Sequence, residues 1–89
     1  MEGQLQQVVG DNLRRLRQRQ RCSQETFGER VGWHRTFVGA VERGERNLTL
    51  RTIERLASQL GVDALALLVD GGTTPDDLVG RSEGERPVT

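Results

Sequence analysis

Ser23-Gln-Glu-Thr-Phe-Gly-Glu-Arg-Val-Gly-Trp-His-Arg-Thr-Phe-Val-Gly-Ala-Val-Glu-Arg-Gly-Glu-Arg-Asn-Leu-Thr49 is the stretch that decides the fold of this 89-residue chain. Ser23 is a good helix N-cap, and Glu25 in the first turn suits the positive end of the helix dipole. The helix so begun runs to about Val31 with Phe27 and Val31 inward. Gly32 stops it and supplies a tight turn. Gly28 sits mid-helix, where glycine is locally unfavourable, so another backbone is expected to pass close by. A second helix starts near His34 or Arg35, runs to Arg43 with Val38 and Val41 inward, and stops at Gly44. Arg35, Thr36 and Phe37 lead it, and Arg46 and Asn47 follow in the loop behind.

Working outward, Val9, Leu13 and Leu16 fall at the i, i+4, i+7 spacing of one helical stripe, with Arg14, Arg15 and Arg19 opposite. This predicts a first helix over about residues 6–19, weakened by about 1 kcal/mol at Gly10. Downstream, Thr49 caps a helix with the stripe Ile53, Leu56, Ala57 and Leu60, ended by Gly61. Asp63 is expected to cap a fifth helix through about Val69. Its cluster of Leu65, Leu67, Leu68 and Val69 exceeds what so short a helix buries, which points to a subunit interface at Leu65, Leu68 and Val69. Gly71-Gly72-Thr-Thr-Pro75 then breaks the pattern. The expected organisation is one domain over residues 1–70 and a flexible polar tail over 71–89. With no strand signals and no repeats, the chain reads as all-α.

Composition narrows the partners. Cys22 is the single cysteine, so an intramolecular disulfide and a cysteine-based metal cluster are excluded. It is read as a small apolar loop residue rather than a reactive thiol. No apolar run is long enough for a membrane span and no signal pattern opens the chain, so a cytoplasmic location is expected. Formal net charge is zero, but the charge is unevenly spread. Seven arginines between Asp11 and Arg35 face three acids, whereas four acids from Gly71 to Thr89 face two arginines. A basic body with an acidic end is a compatible footprint for nucleic acid. All thirteen cations are arginine; selection for bidentate contacts and GC-rich coding explain that equally well.

Two short helices across a Gly-containing turn, with small and cationic residues leading the second, form the layout of a DNA-reading helix-turn-helix. The residues Asn12-Leu-Arg-Arg-Leu-Arg17, Ser23-Gln24-Glu25, Val31-Gly32, Glu42-Arg-Gly44 and Leu56-Ala57 with Leu60-Gly61-Val62 resemble the Cro/repressor-type (XRE) helix-turn-helix family. Within it, His34-Arg-Thr-Phe-Val38 and Glu42-Arg-Gly-Glu-Arg-Asn-Leu-Thr49 are most similar to controller proteins of restriction-modification systems. The resemblance covers roughly residues 8–69. It implies a compact five-helix, lambda-repressor-like, all-α DNA-binding domain acting as a homodimer on double-stranded operator DNA, with RNA polymerase open as a further partner.

By that resemblance, Arg35, Thr36 and Phe37 reach into the major groove, where Arg suits guanine and Thr a base edge, a thymine methyl or a phosphate. Tyr often stands in the family at the place of Phe37, which keeps the ring and lacks the hydroxyl. Arg46 and Asn47 are implied as a second base or phosphate contact. Gln24 is implied as a phosphate contact that braces the first residue of the reading helix, and Arg43 as a phosphate clamp. Arg17 and Glu42 are implied as a partly buried structural ion pair. Arg21 stands where the family usually has Gly, and Gly28 where it usually has Ala. His34, the sole histidine, has no convergent ligands or nucleophile and is read as a turn residue or phosphate contact. Trp33 is read as partial hydrophobic cover.

An antitoxin or a prophage-type repressor is the rival reading; the antitoxin would use residues 71–89 on a toxin, a role their few apolar residues disfavour. An enzyme is disfavoured because no nucleophile–base pair, metal set or phosphate loop is present. No cofactor or metal is expected.

Overall fold

The computed structural model describes residues 3–71 and folds them into four α-helices and one short 3₁₀ segment. They are α1 (Gln4–Arg19), α2 (Gln24–Val31), α3 (Arg35–Glu42) and α4 (Leu50–Leu60), followed by the 3₁₀ turns Ala64–Leu68. The calls on residues 72–89, the polar tail included, lie outside the described residues. No helix among those described is long and apolar enough to cross a membrane.

Local chemistry accounts for most boundaries. Ser23 and Thr49 accept hydrogen bonds from the backbone N–H of Thr26 and Thr52, at 3.0 and 3.1 Å, satisfying donors that a helix start leaves free. Gly32 and Gly61 end α2 and α4 in the left-handed conformation. The first helix begins two residues earlier than its apolar stripe predicts, taking in Leu5. The end of α1 lacks a glycine. Arg21 itself adopts φ +56°, the one non-glycine residue with positive φ among those described. A left-handed L-residue costs about 1–2 kcal/mol. Arg21→Gly should therefore raise stability by about 0.5–1 kcal/mol after the entropy of a freer unfolded chain is set against that relief. Thermal unfolding followed by circular dichroism should show Tm higher by roughly 3–6 °C; a fall would mean that the Arg21 side chain holds a contact of its own.

The inward stripes meet in one core. Val9, Leu13 and Leu16 of α1 pack with Phe27 and Val31 of α2, Val38 and Val41 of α3, Ile53, Leu56 and Ala57 of α4, and Leu67. Two glycines set how closely the helices approach. A methyl group on Gly10 would collide with the Val41 and Glu42 carbonyls, so the glycine that weakens α1 locally is what lets α1 rest on the end of α3. Gly28 does the same for the turn: a side chain there would strike the Trp33 carbonyl, while the Trp33 N–H donates to the Gly28 carbonyl.

The expected fifth α-helix is a 3₁₀ segment instead. Asp63 caps it by accepting from the Leu65 N–H at 3.0 Å. Its C-terminal carbonyls turn toward α1, where the buried Asn12 amide donates to Ala66, Leu67 and Val69 at 3.3, 2.9 and 3.0 Å. Carbonyls converging on one side chain cannot also point along an α-helix, and five residues are too few to nucleate one. Leu67 is thereby sunk to 0% exposure, while Leu65 and Val69 stay open at 68% and 56%.

Candidate nucleic-acid interface

Arg35 is the first residue of α3, and the cap that precedes it is His34, whose Nδ1 accepts from the Thr36 N–H at 3.0 Å. That bond uses the Nδ1 lone pair as acceptor. Arg35 and Thr36 are exposed, and no protein group among the described residues engages either side chain. A cation in the first turn meets the positive end of the helix dipole, which disfavours it by about 0.3–1 kcal/mol. Such a placement contributes nothing to the fold.

Phe37 sits differently. Its ring is half-buried against the core, meets Trp33 edge-on with centroids 4.8 Å apart at 78°, and carries the Arg46 guanidinium 5.4 Å from its centroid. Arg46 is thus held over an aromatic face, and without a hydrogen bond to Glu45 its nearby charge still helps, after the hydrogen bond from Arg43, to lower the Glu45 carboxyl. Asn47, next in the loop, is exposed with no protein partner among the described residues.

Behind α3 lies a charged junction that ties three helices together. Arg17 donates to Glu42 from Nε at 2.6 Å and from Nη2 at 3.1 Å, and its Nη1 donates to the Cys22 carbonyl at 3.0 Å. The Gln24 amide donates to the same carboxylate at 3.1 Å. The Gln24 brace therefore runs to the last residue of α3, not to the first as expected: the start of α2 faces the C-terminal half of α3. Chiefly through its hydrogen bond to Glu42, the Arg17 guanidinium is raised above its ordinary range and stays charged wherever the chain folds. Arg43 makes an exposed two-pronged pair with Glu45 at 3.0 and 3.1 Å, whose hydrogen bond holds the Glu45 carboxyl below its usual range.

Arg14 and Gln18 of α1, with Arg17, Gln24, Glu42 and Arg43, line a polar recess of about 270 Å³. Arg14 has no protein partner among the described residues, which leaves the recess with an uncompensated cation. Neither Arg14 nor Gln18 was a candidate from sequence, because an exposed cation on a polar helix face carries no distinguishing signal. The candidates therefore fall into three groups: Arg35 and Thr36 at the tip of α3, Phe37, Arg46 and Asn47 on one flank, and Gln24 with Arg43 beside the recess. Among the described residues no group of His, Cys, Asp and Glu side chains is placed to hold a metal ion.

The pattern of a helix-turn-helix family matches residues 13–67. The chain is 40% identical over 68 residues to control protein C.SmaI of Serratia marcescens, spanning 76% of this chain and 81% of that one. The solved structure of the hypothetical transcription factor NHTF from Neisseria is similar, with a TM-score of 0.69 and 40% identity over 79% of this chain and 80% of that one. The restriction-modification controller protein C.AhdI from Aeromonas hydrophila matches with a TM-score of 0.62 and 40% identity, over 70% of this chain and 94% of that chain.

Proposed function

The chain belongs to the Cro/repressor-type (XRE) helix-turn-helix family of DNA-binding transcription regulators, and on that premise we propose that it is a restriction-modification controller binding a palindromic operator as a homodimer. One observation carries the reading: the side chains of Arg35 and Thr36, without a partner among the described residues, stand at the front of α3, where the helix dipole disfavours a cation. Arg35 is assigned to guanine and Thr36 to a base edge or phosphate. Arg46, steadied by Phe37, and Asn47 supply the second contact. Gln24, Arg43 and the unassigned Arg14 hold backbone phosphates around the recess, so affinity falls steeply with salt as counterions are released.

Two copies related by a two-fold axis would place their α3 helices in successive major grooves, about 10 bp apart. Leu65 and Val69 supply the exposed apolar surface for that pairing, and Leu68, half-buried beside them, its edge. Activation through RNA polymerase and a cytoplasmic location follow from the same reading. Sedimentation at micromolar concentration should show a two-chain species that binds a fragment from upstream of the gene, and Leu65→Asp with Val69→Asp should reduce it to a monomer that still folds. A wild-type monomer, or an upstream fragment left unbound, would overturn the proposal.

A further inference from the structure

Asn12 is a polar residue at 0% exposure on the buried side of α1, whose other inward positions are Val9, Leu13 and Leu16. A polar side chain in such a place costs stability unless its hydrogen bonds are met. Its amide donates to the carbonyls of Ala66, Leu67 and Val69, and its Oδ1 accepts from Arg15 Nη1 at 2.7 Å. All three carbonyls lie on, or directly after, the segment that carries Leu65 and Leu68 and runs into Val69. We propose that Asn12 is a positioning residue for pairing, which fixes how Leu65 and Val69 are presented to a second copy of this chain. Being fully buried, it does so without reaching that copy. This inference rests on the homodimer reading above and adds the residue that shapes its surface.

The segment does not hold that form by itself. Five residues in 3₁₀ turns make few internal hydrogen bonds, with poor geometry, and are too short to nucleate a helix. Asp63 orders the first turn through the Leu65 and Ala66 N–H groups, and Leu67 anchors the middle by burial. Asn12 ties the carbonyl side to α1 and carries the order through to Val69, which is extended and beyond the 3₁₀ turns. Leu65 and Val69 stand on the two sides of Leu67, so their spacing and common direction depend on that tie. A leucine at position 12 would bury more apolar surface and hold no carbonyl. Fixing one arrangement among several is the best-attested use of a polar group in a core.

The expected effect follows from populations. If removing the amide leaves about a third to a tenth of each protomer in the pairing arrangement, the dimer weakens by the square of that fraction, about ten- to hundredfold.

The test is sedimentation equilibrium of the full chain as wild type, Asn12→Leu and Asn12→Ala, below the onset of thermal unfolding. Circular dichroism checks that helix content is kept. The dissociation constant should rise by the factor above in both variants, and amide hydrogen exchange at residues 65–69 should quicken. Glu42→Ala is the control, since it removes a buried hydrogen-bonded group whose partners lie on α1 and α2. Its folded molecules should pair like wild type. Pairing within about threefold of wild type in both Asn12 variants would overturn the inference and leave the homodimer reading standing. Equal weakening by Glu42→Ala would also overturn it, because the loss would then follow general destabilisation. If Asn12→Ala alone loses helix content, Asn12→Leu, which keeps the branched shape, decides. Loss of helix content in both would make Asn12 a residue of the fold and end the positioning role. A wild-type monomer would bring down the homodimer reading first, and this inference with it.

Discussion

Glu42→Ala is expected to cost about 3 kcal/mol of folding stability, the low end of what removing one partner from a buried ion pair typically costs. Glu42 is only 6% exposed, and its carboxylate accepts three hydrogen bonds, from Arg17 Nε, Arg17 Nη2 and Gln24. Removing it leaves the guanidinium with the Cys22 carbonyl alone. The low end applies because the Arg17 side chain keeps 14% exposure and can turn partly toward water. Three kilocalories is a large share of the roughly 5–15 kcal/mol that holds a domain together, and Tm should fall by about 12 °C or more. The sign with pH is clear on the arginine side. A raised pKa means that its contribution is present below the unfolded value and lost only above it, beyond any working pH. Urea unfolding of Glu42→Ala, Arg17→Met and the double variant tests the coupling. The double variant should be less damaged than the two single losses predict by addition, because replacing both charges leaves none stranded. A single-variant cost under 1 kcal/mol, or strict additivity, would remove the junction from the scaffold.

Arg35→Ala should leave the fold untouched and strike DNA binding. A bidentate arginine–guanine contact is worth about 1–3 kcal/mol, and a two-fold complex makes it twice. The loss is therefore about 2–6 kcal/mol, roughly 30-fold to 10⁴-fold in affinity. Thermal stability should hold or rise slightly, since a cation leaves the positive end of α3. Specificity should relax at one base pair per half-site while the salt dependence keeps most of its slope, because phosphate contacts set that slope. Anisotropy titrations against the upstream fragment and symmetric single-base variants measure all three. Equal binding by wild type and variant would end the assignment.

Most of the fold was legible because it rests on short-range rules. Stripes at helical spacing placed Val9, Leu13 and Leu16 on one face, and Ser23, Gly32, Thr49 and Gly61 marked four boundaries from local hydrogen bonding and backbone conformation alone. The Arg17–Glu42 contact was implied by family resemblance; spacing could not have found it, since the partners are 25 residues apart. The 3₁₀ form of residues 64–68 was illegible for the same reason. It depends on Asn12, more than fifty residues away, and an asparagine on a helix announces nothing about the carbonyls it will meet. Gly10 looked like a local defect because the α3 carbonyls that require it are distant in the chain.

For the candidate site the division is similar. Sequence by itself determined the order of the helices, the turn between the second and third, and the presence of Arg35, Thr36, Phe37, Arg46 and Asn47 along the third helix and the loop behind it. Only the tertiary structure decided that Phe37 turns inward between Trp33 and Arg46, that Gln24 supports Glu42, and that Arg14 joins the recess. Periodicity and capping act within about one helical turn, so a linear pattern encodes them. Which side chains meet across elements depends on interhelix distances that glycines such as Gly10 and Gly28 set, and those distances exist only once the chain has folded.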